Sequence, residues 1–258
     1  MKSKFLSSAL RLLIAGGSIL AIFFIAFVVQ LPFADIIKLK THYIASHYQA
    51  GQITYKMTKK RPKNWAPLGK INSVAARAIM LSEDSFFKQH NGIDMEQLKL
   101  ALRDGLFAGK RMRGASTITQ QVVKNLYLSH ERSVFRKIKE VVLALYMEQH
   151  LGKARIFEIY LNIIEYGVGL YGISNASYWY FKKSPSQINA KEGAFLAMLL
   201  PSPKRYAESY RQKKLTAYAQ KIIKSLLRKL VVAGVLSSEE YERELSEPIT
   251  WEKTSSQI

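Results

Sequence analysis

The chain has 258 residues, 48% of them hydrophobic, a composition that folds around a core and excludes a disordered chain. Its 39 Lys and Arg against 19 Asp and Glu give a net charge of +20, so a phosphate-rich or otherwise anionic partner is expected. With no cysteine, disulfides and thiol chemistry are excluded.

At the N-terminus Lys2, Lys4 and Arg11 precede an apolar run from Leu12 to Leu31, broken only by small residues, Ser18 and Gln30. About twenty residues at helical rise span roughly 30 Å, the thickness of a bilayer core. The segment 12–34 is therefore predicted to be an uncleaved transmembrane helix, since the apolar region of a signal peptide is usually only about 7 to 15 residues long. The preceding cations keep residues 1–11 in the cytoplasm and send the chain from about Asp35 to the far side of the membrane. That placement removes nucleic acid as the anionic partner and leaves membrane lipids. Residues 35–65 read as a membrane-proximal connector: His42, Tyr43, Tyr48 and Tyr55 are interleaved with basic residues, and Lys59-Lys60-Arg61-Pro62-Lys63 is a positive run suited to headgroup depth.

From about Ile71 apolar residues recur at helical spacing, and one mainly α domain is predicted over 66–245. The stripes are Ala75, Ile79 and Leu81, then Leu98, Leu102 and Leu106, then Val134, Ile138, Val141, Val142 and Leu145. Further helices are predicted at 116–127, 153–164, 170–182, 187–199 and 213–233, with Pro201 and Pro203 closing the one at 187–199. Ser237, with Glu240 three residues on, caps a last helix. Residues 246–258 are expected to be a loose tail.

Three clusters carry chemistry. Glu83-Asp84-Ser85-Phe86-Phe87-Lys88-Gln89-His90-Asn91-Gly92-Ile93-Asp94 ends an apolar helix, and a carboxylate beside apolar bulk has the raised pKa that acid–base work needs. Gly114-Ala115-Ser116-Thr117-Ile118-Thr119-Gln120-Gln121-Val122-Val123-Lys124-Asn125 offers backbone N–H groups, hydroxyls and a cation to a phosphate. Arg132 and Arg136-Lys137-Ile138-Lys139-Glu140 add further charge. Taken singly, the first cluster reads more readily as a solvated helix end, the second as an N-cap and the third as a surface ion pair.

Taken in order, and with Lys153-Ala154-Arg155-Ile156-Phe157-Glu158-Ile159-Tyr160-Leu161-Asn162 as a fourth, the clusters resemble the peptidoglycan glycosyltransferase family. This is the polymerising domain of bifunctional penicillin-binding proteins and of monofunctional biosynthetic transglycosylases. The resemblance runs from about Ala66 to about Tyr206, through ED-x-x-F-x-x-H-x-G-x-D, G-x-STITQQ-x-x-KN, RK-x-x-E and E-x-YLN. It implies a lysozyme-like helical fold with a membrane-dipping lobe, and as substrates lipid II and the growing glycan chain. Other cell-wall synthesis proteins are implied as partners, and the address is the outer, periplasmic or extracytoplasmic, face of the cytoplasmic membrane.

The resemblance makes Glu83 the base that activates the acceptor 4-hydroxyl, with Lys137 and Glu140 as further catalytic candidates. Asp84, Ser116, Thr117, Gln121, Lys124, Asn125, Arg132 and Arg136 become candidates for binding substrate. Glu140, an acid among bases, is expected to hold a divalent cation, Mg²⁺ or Mn²⁺, against the diphosphate or to orient Lys137. Glu158 and Asn162 are expected to be structural, and His90 a hydrogen-bonded residue rather than a metal ligand.

Two rival readings fit the residues less well. A lytic transglycosylase or lysozyme-like hydrolase would also use a Glu, yet has no diphosphate to match the cations at 114–140. A non-enzymatic basic lipid-binding protein would leave Glu83 without a role. Gly167-Val168-Gly169-Leu170-Tyr171-Gly172 fits a dinucleotide-binding pattern but follows a helical segment and lacks a βαβ setting.

Overall fold

The computed structural model describes residues 17–18, 25–107, 116–129, 131 and 133–253. In chain order these form α1 (Phe33–Lys38), a hairpin of β1 (Tyr43–Gln49) and β2 (Gln52–Thr58), α2 (Ser73–Glu83), α3 (Met95–Phe107), α4 (Ile118–Tyr127), α5 (Val134–His150) and α6 (Lys153–Ile163). A second small hairpin, β3 (Glu165–Gly167) and β4 (Leu170–Tyr171), leads to α7 (Ile173–Phe181) and α8 (Ala190–Leu199). Short α9 (Pro203–Tyr206) and α10 (Glu208–Arg211) precede α11 (Ala217–Val232), α12 (Ser238–Ser246) and α13 (Thr250–Lys253). The architecture is mainly α, as expected, with each predicted helix within a few residues of its place.

α8 is the axis of the fold. All ten of its residues are buried, which marks a helix surrounded by others rather than one with a single apolar stripe. Its N-terminus is closed by a capping box, in which Asn189 accepts from Glu192 N–H and Glu192 accepts from Asn189 N–H. Glu192, deep inside, is matched by Lys183 at 2.8 and 3.0 Å and by Thr250 Oγ1 at 2.9 Å. Against α8 lies α2, whose small residues Ala75, Ala76 and Ala78 face inward. A Cβ on Gly193 would stand 2.5 Å from Ala75 Cα, so the two backbones meet at a distance only glycine permits. α11 packs on both helices through Ile223, Leu226, Leu227 and Leu230.

Three expectations are corrected. Residues 35–65 are not a connector but part of the domain, with Ile36, Leu39, Ile44 and Trp65 buried and the hairpin turning at Ala50 and Gly51, both at positive φ. The alternation in Gln52–Thr58, exposed and half-buried by turns, is the period-two signal of a strand lying on a surface. The stretch from 246 is not a loose tail as far as residue 253: Ile249 and Trp251 are buried, Trp251 against Phe195 and Tyr210. Residues 254–258 lie outside the described residues.

The stripe anticipated on α5 is not its core face. Glu140, Leu143, Ala144 and Met147 are buried, whereas Val134, Phe135, Ile138 and Leu145 are exposed. The helix is apolar on two sides, and its packing against α4 selects one. Much of the expected transmembrane segment 12–34 lies outside the described residues. Residues 25–29 are helical, Leu31 is buried in the domain and α1 begins at Phe33. Among the described residues no helix is long and apolar enough to cross a membrane.

Gly193→Ala should push α2 and α8 apart and cost about 1–3 kcal/mol, the range for overpacking a close-packed core. Urea unfolding would show it as a lower midpoint at unchanged slope. An unshifted midpoint would mean that the helix contact is looser than described.

Candidate active site

α2 is capped at its start by Asn72, whose side chain accepts from Val74 and Ala75 N–H at 3.0 and 3.1 Å, and it ends at Glu83. Glu83 therefore projects from the C-terminus of a helix locked into the core. It opens into a cavity of about 250 Å³, whose lining includes Asp84, Phe86, Asp94, Ser116 and Thr117.

Two donors converge on one oxygen of Glu83. Gln121 Nε2 donates to Oε2 at 2.9 Å and Tyr160 OH donates to the same atom at 3.2 Å. Oε1 has no hydrogen-bond partner among the described residues, leaving it free to take a proton. Burial pushes the Glu83 pKa up, the Gln121 and Tyr160 hydrogen bonds and the Lys124 charge pull it back, and neighbouring Asp84 adds to the rise. The net effect is upward, the direction in which a carboxylate becomes a competent base near neutral pH.

The turn after α2 is a scaffold. Asp84 is buried, and its carboxylate accepts from His90 Nε2 at 2.9 and 3.0 Å and from Ile118 N–H at 3.0 Å. Asp84 thus binds the start of α4 to the end of α2, and His90 is a structural hydrogen-bonding residue as expected. Thr117 is the N-cap of α4: its hydroxyl accepts from Gln120 N–H at 3.2 Å and donates to Gly92 O at 2.7 Å. Gly92, at φ +90°, lies so close to α5 that a Cβ would come within 3.0 Å of Ala144 O. Asp94 caps α3 by accepting from Gln97 N–H at 2.9 Å. The hydroxyl of Thr117 is thus committed to the fold, and Ser116 is the exposed hydroxyl of the pair.

Beyond Ser116 stands a charged group on one face of α5. Glu140 is only 2% exposed and accepts from Arg136 at 3.0 Å and from Lys137. Lys137 Nζ also reaches Ser116 Oγ at 3.4 Å. The structure therefore brings Glu83, Gln121 and Lys124 together, and links Ser116 to Lys137, Arg136 and Glu140. Asn125 is half-buried with no hydrogen bond shown among the described residues, and Arg132 lies outside them.

As a metal site the arrangement fits poorly. Both Glu140 oxygens already face cations, and among the described residues no three His, Asp or Glu side chains gather as a metal cage requires. Glu140 serves in this geometry as the counter-charge that orients Arg136 and Lys137.

Glu158 and Asn162 are structural, as expected. Glu158 accepts from Trp65 Nε1 at 3.0 Å and Leu68 N–H at 2.9 Å, while Asn162 pairs with both the N–H and the carbonyl of Ala66 at 2.8 Å. Tyr160, in the same block, was not singled out from the sequence. Two residues from Glu158 is about 200° round the helix, so it points the other way, to Glu83.

Residues 50–228 match the family described as transglycosylase. A protein of Janthinobacterium sp. (strain Marseille), named biosynthetic peptidoglycan transglycosylase, is 40% identical over 184 residues, 69% of this chain and 78% of its own. The Herminiimonas arsenicoxydans protein of the same name is 43% identical over 166 residues, 64% of this chain and 70% of its own. The chain belongs to the transglycosylase family and is a glycosyltransferase.

If Glu83 acts ionised, activity rises with pH through its pKa. Tyr160→Phe removes a donor that favours the charged form, so the acid limb of the kcat/KM profile should move to higher pH. An acid limb that stays in place would remove Tyr160 from the account.

Proposed function

We propose that the chain polymerises lipid II into β-1,4-linked glycan strands, with Glu83 as the general base. The observation that carries this reading is the Glu83 carboxylate, part-desolvated and anchored through Oε2 alone, sharing its cleft with Ser116, which Lys137 contacts. Glu83 takes the proton of the acceptor sugar's 4-hydroxyl, and that oxygen attacks the anomeric carbon of the lipid-linked donor. The bond from that carbon to the diphosphate breaks, undecaprenyl diphosphate leaves, and the attack inverts the anomeric centre.

Lys137 and Arg136, held by Glu140, supply donors to the negative charge that develops on the leaving diphosphate. Lys124, exposed on α4 close to Glu83, adds positive charge. A divalent cation, Mg²⁺ or Mn²⁺, enters as a companion of the substrate's diphosphate, whose charge it would neutralise. The peptidoglycan product is carried over from the names of the relatives.

A membrane anchor at 12–34 holds the domain on the outer face of the cytoplasmic membrane. Support comes from an apolar surface beside that segment: Val134, Phe135 and Ile138 are exposed, and Phe135 packs edge-on against Phe27 at 5.1 Å. Exposed apolar patches of this kind suit a lipid surface, and a domain dipping there meets a substrate whose lipid tail never leaves the bilayer.

The test is polymerisation of lipid II in detergent with Mg²⁺, following glycan length and release of undecaprenyl diphosphate. Glu83→Gln keeps the side chain's shape and should lose about 10²–10⁴-fold in rate, the contribution of a general base. A folded variant that polymerises like wild type, or a wild type that only shortens preformed glycan, would overturn the assignment.

A further inference from the structure

The cleft is lined by one side chain from the far end of the sequence, Lys229 in the last turn of α11. Its place is not accidental to a basic helix. Leu226 and Leu230, three residues before and one after, are buried where α11 packs on α2 and α8, and α2 is the helix that ends in Glu83. The contact that seats α11 therefore fixes the register of Lys229 relative to the base.

Lys229 is exposed, and among the described residues it has no hydrogen-bond or ion-pair partner. The cleft carboxylates nearest in kind are already committed: Asp84 to His90 and Ile118 N–H, Asp94 to Gln97 N–H, and Glu83 through Oε2 to Gln121 and Tyr160. On the same helix Arg228 is bound to Tyr241 OH at 3.1 Å, and Lys221 and Lys224 lie outside the cleft lining. An ammonium group held at a substrate cleft, with no protein partner there, is matched by an oxyanion that arrives with the substrate.

We propose that Lys229 is a substrate-positioning residue that binds an oxyanion of the lipid-linked saccharide, a second cationic contact separate from the group built by Arg136, Lys137 and Glu140. The proposal rests on the reading of the Glu83 cleft as the glycosyl-transfer site. Two groups of that substrate offer the same chemistry, the diphosphate and the carboxylates of the stem peptide. Lys229 acts on binding rather than on the proton, so its loss falls mainly on KM.

The test is steady-state polymerisation of lipid II by wild type, Lys229→Ala, Lys229→Arg, Lys221→Ala and Lys224→Ala, with Glu83→Gln in parallel and thermal melts for each. Lys229→Ala is expected to raise KM about tenfold at little-changed kcat, the loss of one exposed charge-assisted contact. Lys229→Arg should recover most of it, and the two neighbouring lysines should behave as wild type. Repeating the comparison on lipid II with an amidated stem peptide separates the sources. If wild type and Lys229→Ala converge there, the partner is a peptide carboxylate; if the ratio persists, it is the diphosphate. A Lys229→Ala enzyme with wild-type KM, or equal losses in Lys221→Ala and Lys224→Ala, overturns the proposal in favour of general surface charge. An active Glu83→Gln would instead overturn the site reading on which it rests.

Discussion

The backbone contact between α2 and α8 at Ala75 and Gly193 is the constraint on which the site depends. It brings the small residues of α2, Ala75, Ala76 and Ala78, against a helix buried on every side. Close approach of this kind leaves little freedom to slide, because protein interiors are packed without spare volume. Glu83 is the last residue of α2, so the rigidity of that contact becomes the position of the carboxylate. α11 closes over the same pair and brings Lys229 to the cleft through the same packing.

Around Glu83 the structure separates holding from reacting. Asp84, His90 and Thr117 spend their polar atoms on tying the 84–94 turn to the start of α4. Gln121 and Tyr160 hold one oxygen of the base and leave the other without a partner among the described residues. Glu140, buried and doubly paired, sets the direction of Arg136 and Lys137, in keeping with the stricter geometry that buried ion pairs demand. Ser116 joins the two halves, lining the cleft and contacting Lys137.

Much of this was legible in the sequence, for local reasons. Helices at Ser73–Glu83, Ile118–Tyr127 and Lys153–Ile163 follow from apolar spacing and caps, and the order of the four motifs identified the family before any geometry was available. What sequence could not decide was how single residues divide their labour. Thr117 and Asp84 have the chemistry of substrate ligands, but burial and hydrogen bonding commit them to the scaffold. Tyr160 was hidden because a buried tyrosine in an apolar block reads as core. The two apolar sides of α5 could not be ranked without knowing where α4 would lie, and Trp251 gave no local sign that it would fold back onto Phe195. Lys229 stood among other lysines of a basic helix, and only tertiary packing distinguishes it.

Burial at the end of α2 raises the pKa of Glu83 and makes it a base. Carbon-13 NMR of side-chain-labelled glutamate, with Glu83→Gln used to assign the resonance, would measure that titration directly in the unliganded enzyme. The account predicts a Glu83 carboxyl that titrates above the ordinary glutamate value of about 4.3. Titration at or below that value would mean that the Gln121 and Tyr160 hydrogen bonds outweigh burial, and the claim that the fold poises this residue as a base would be contradicted.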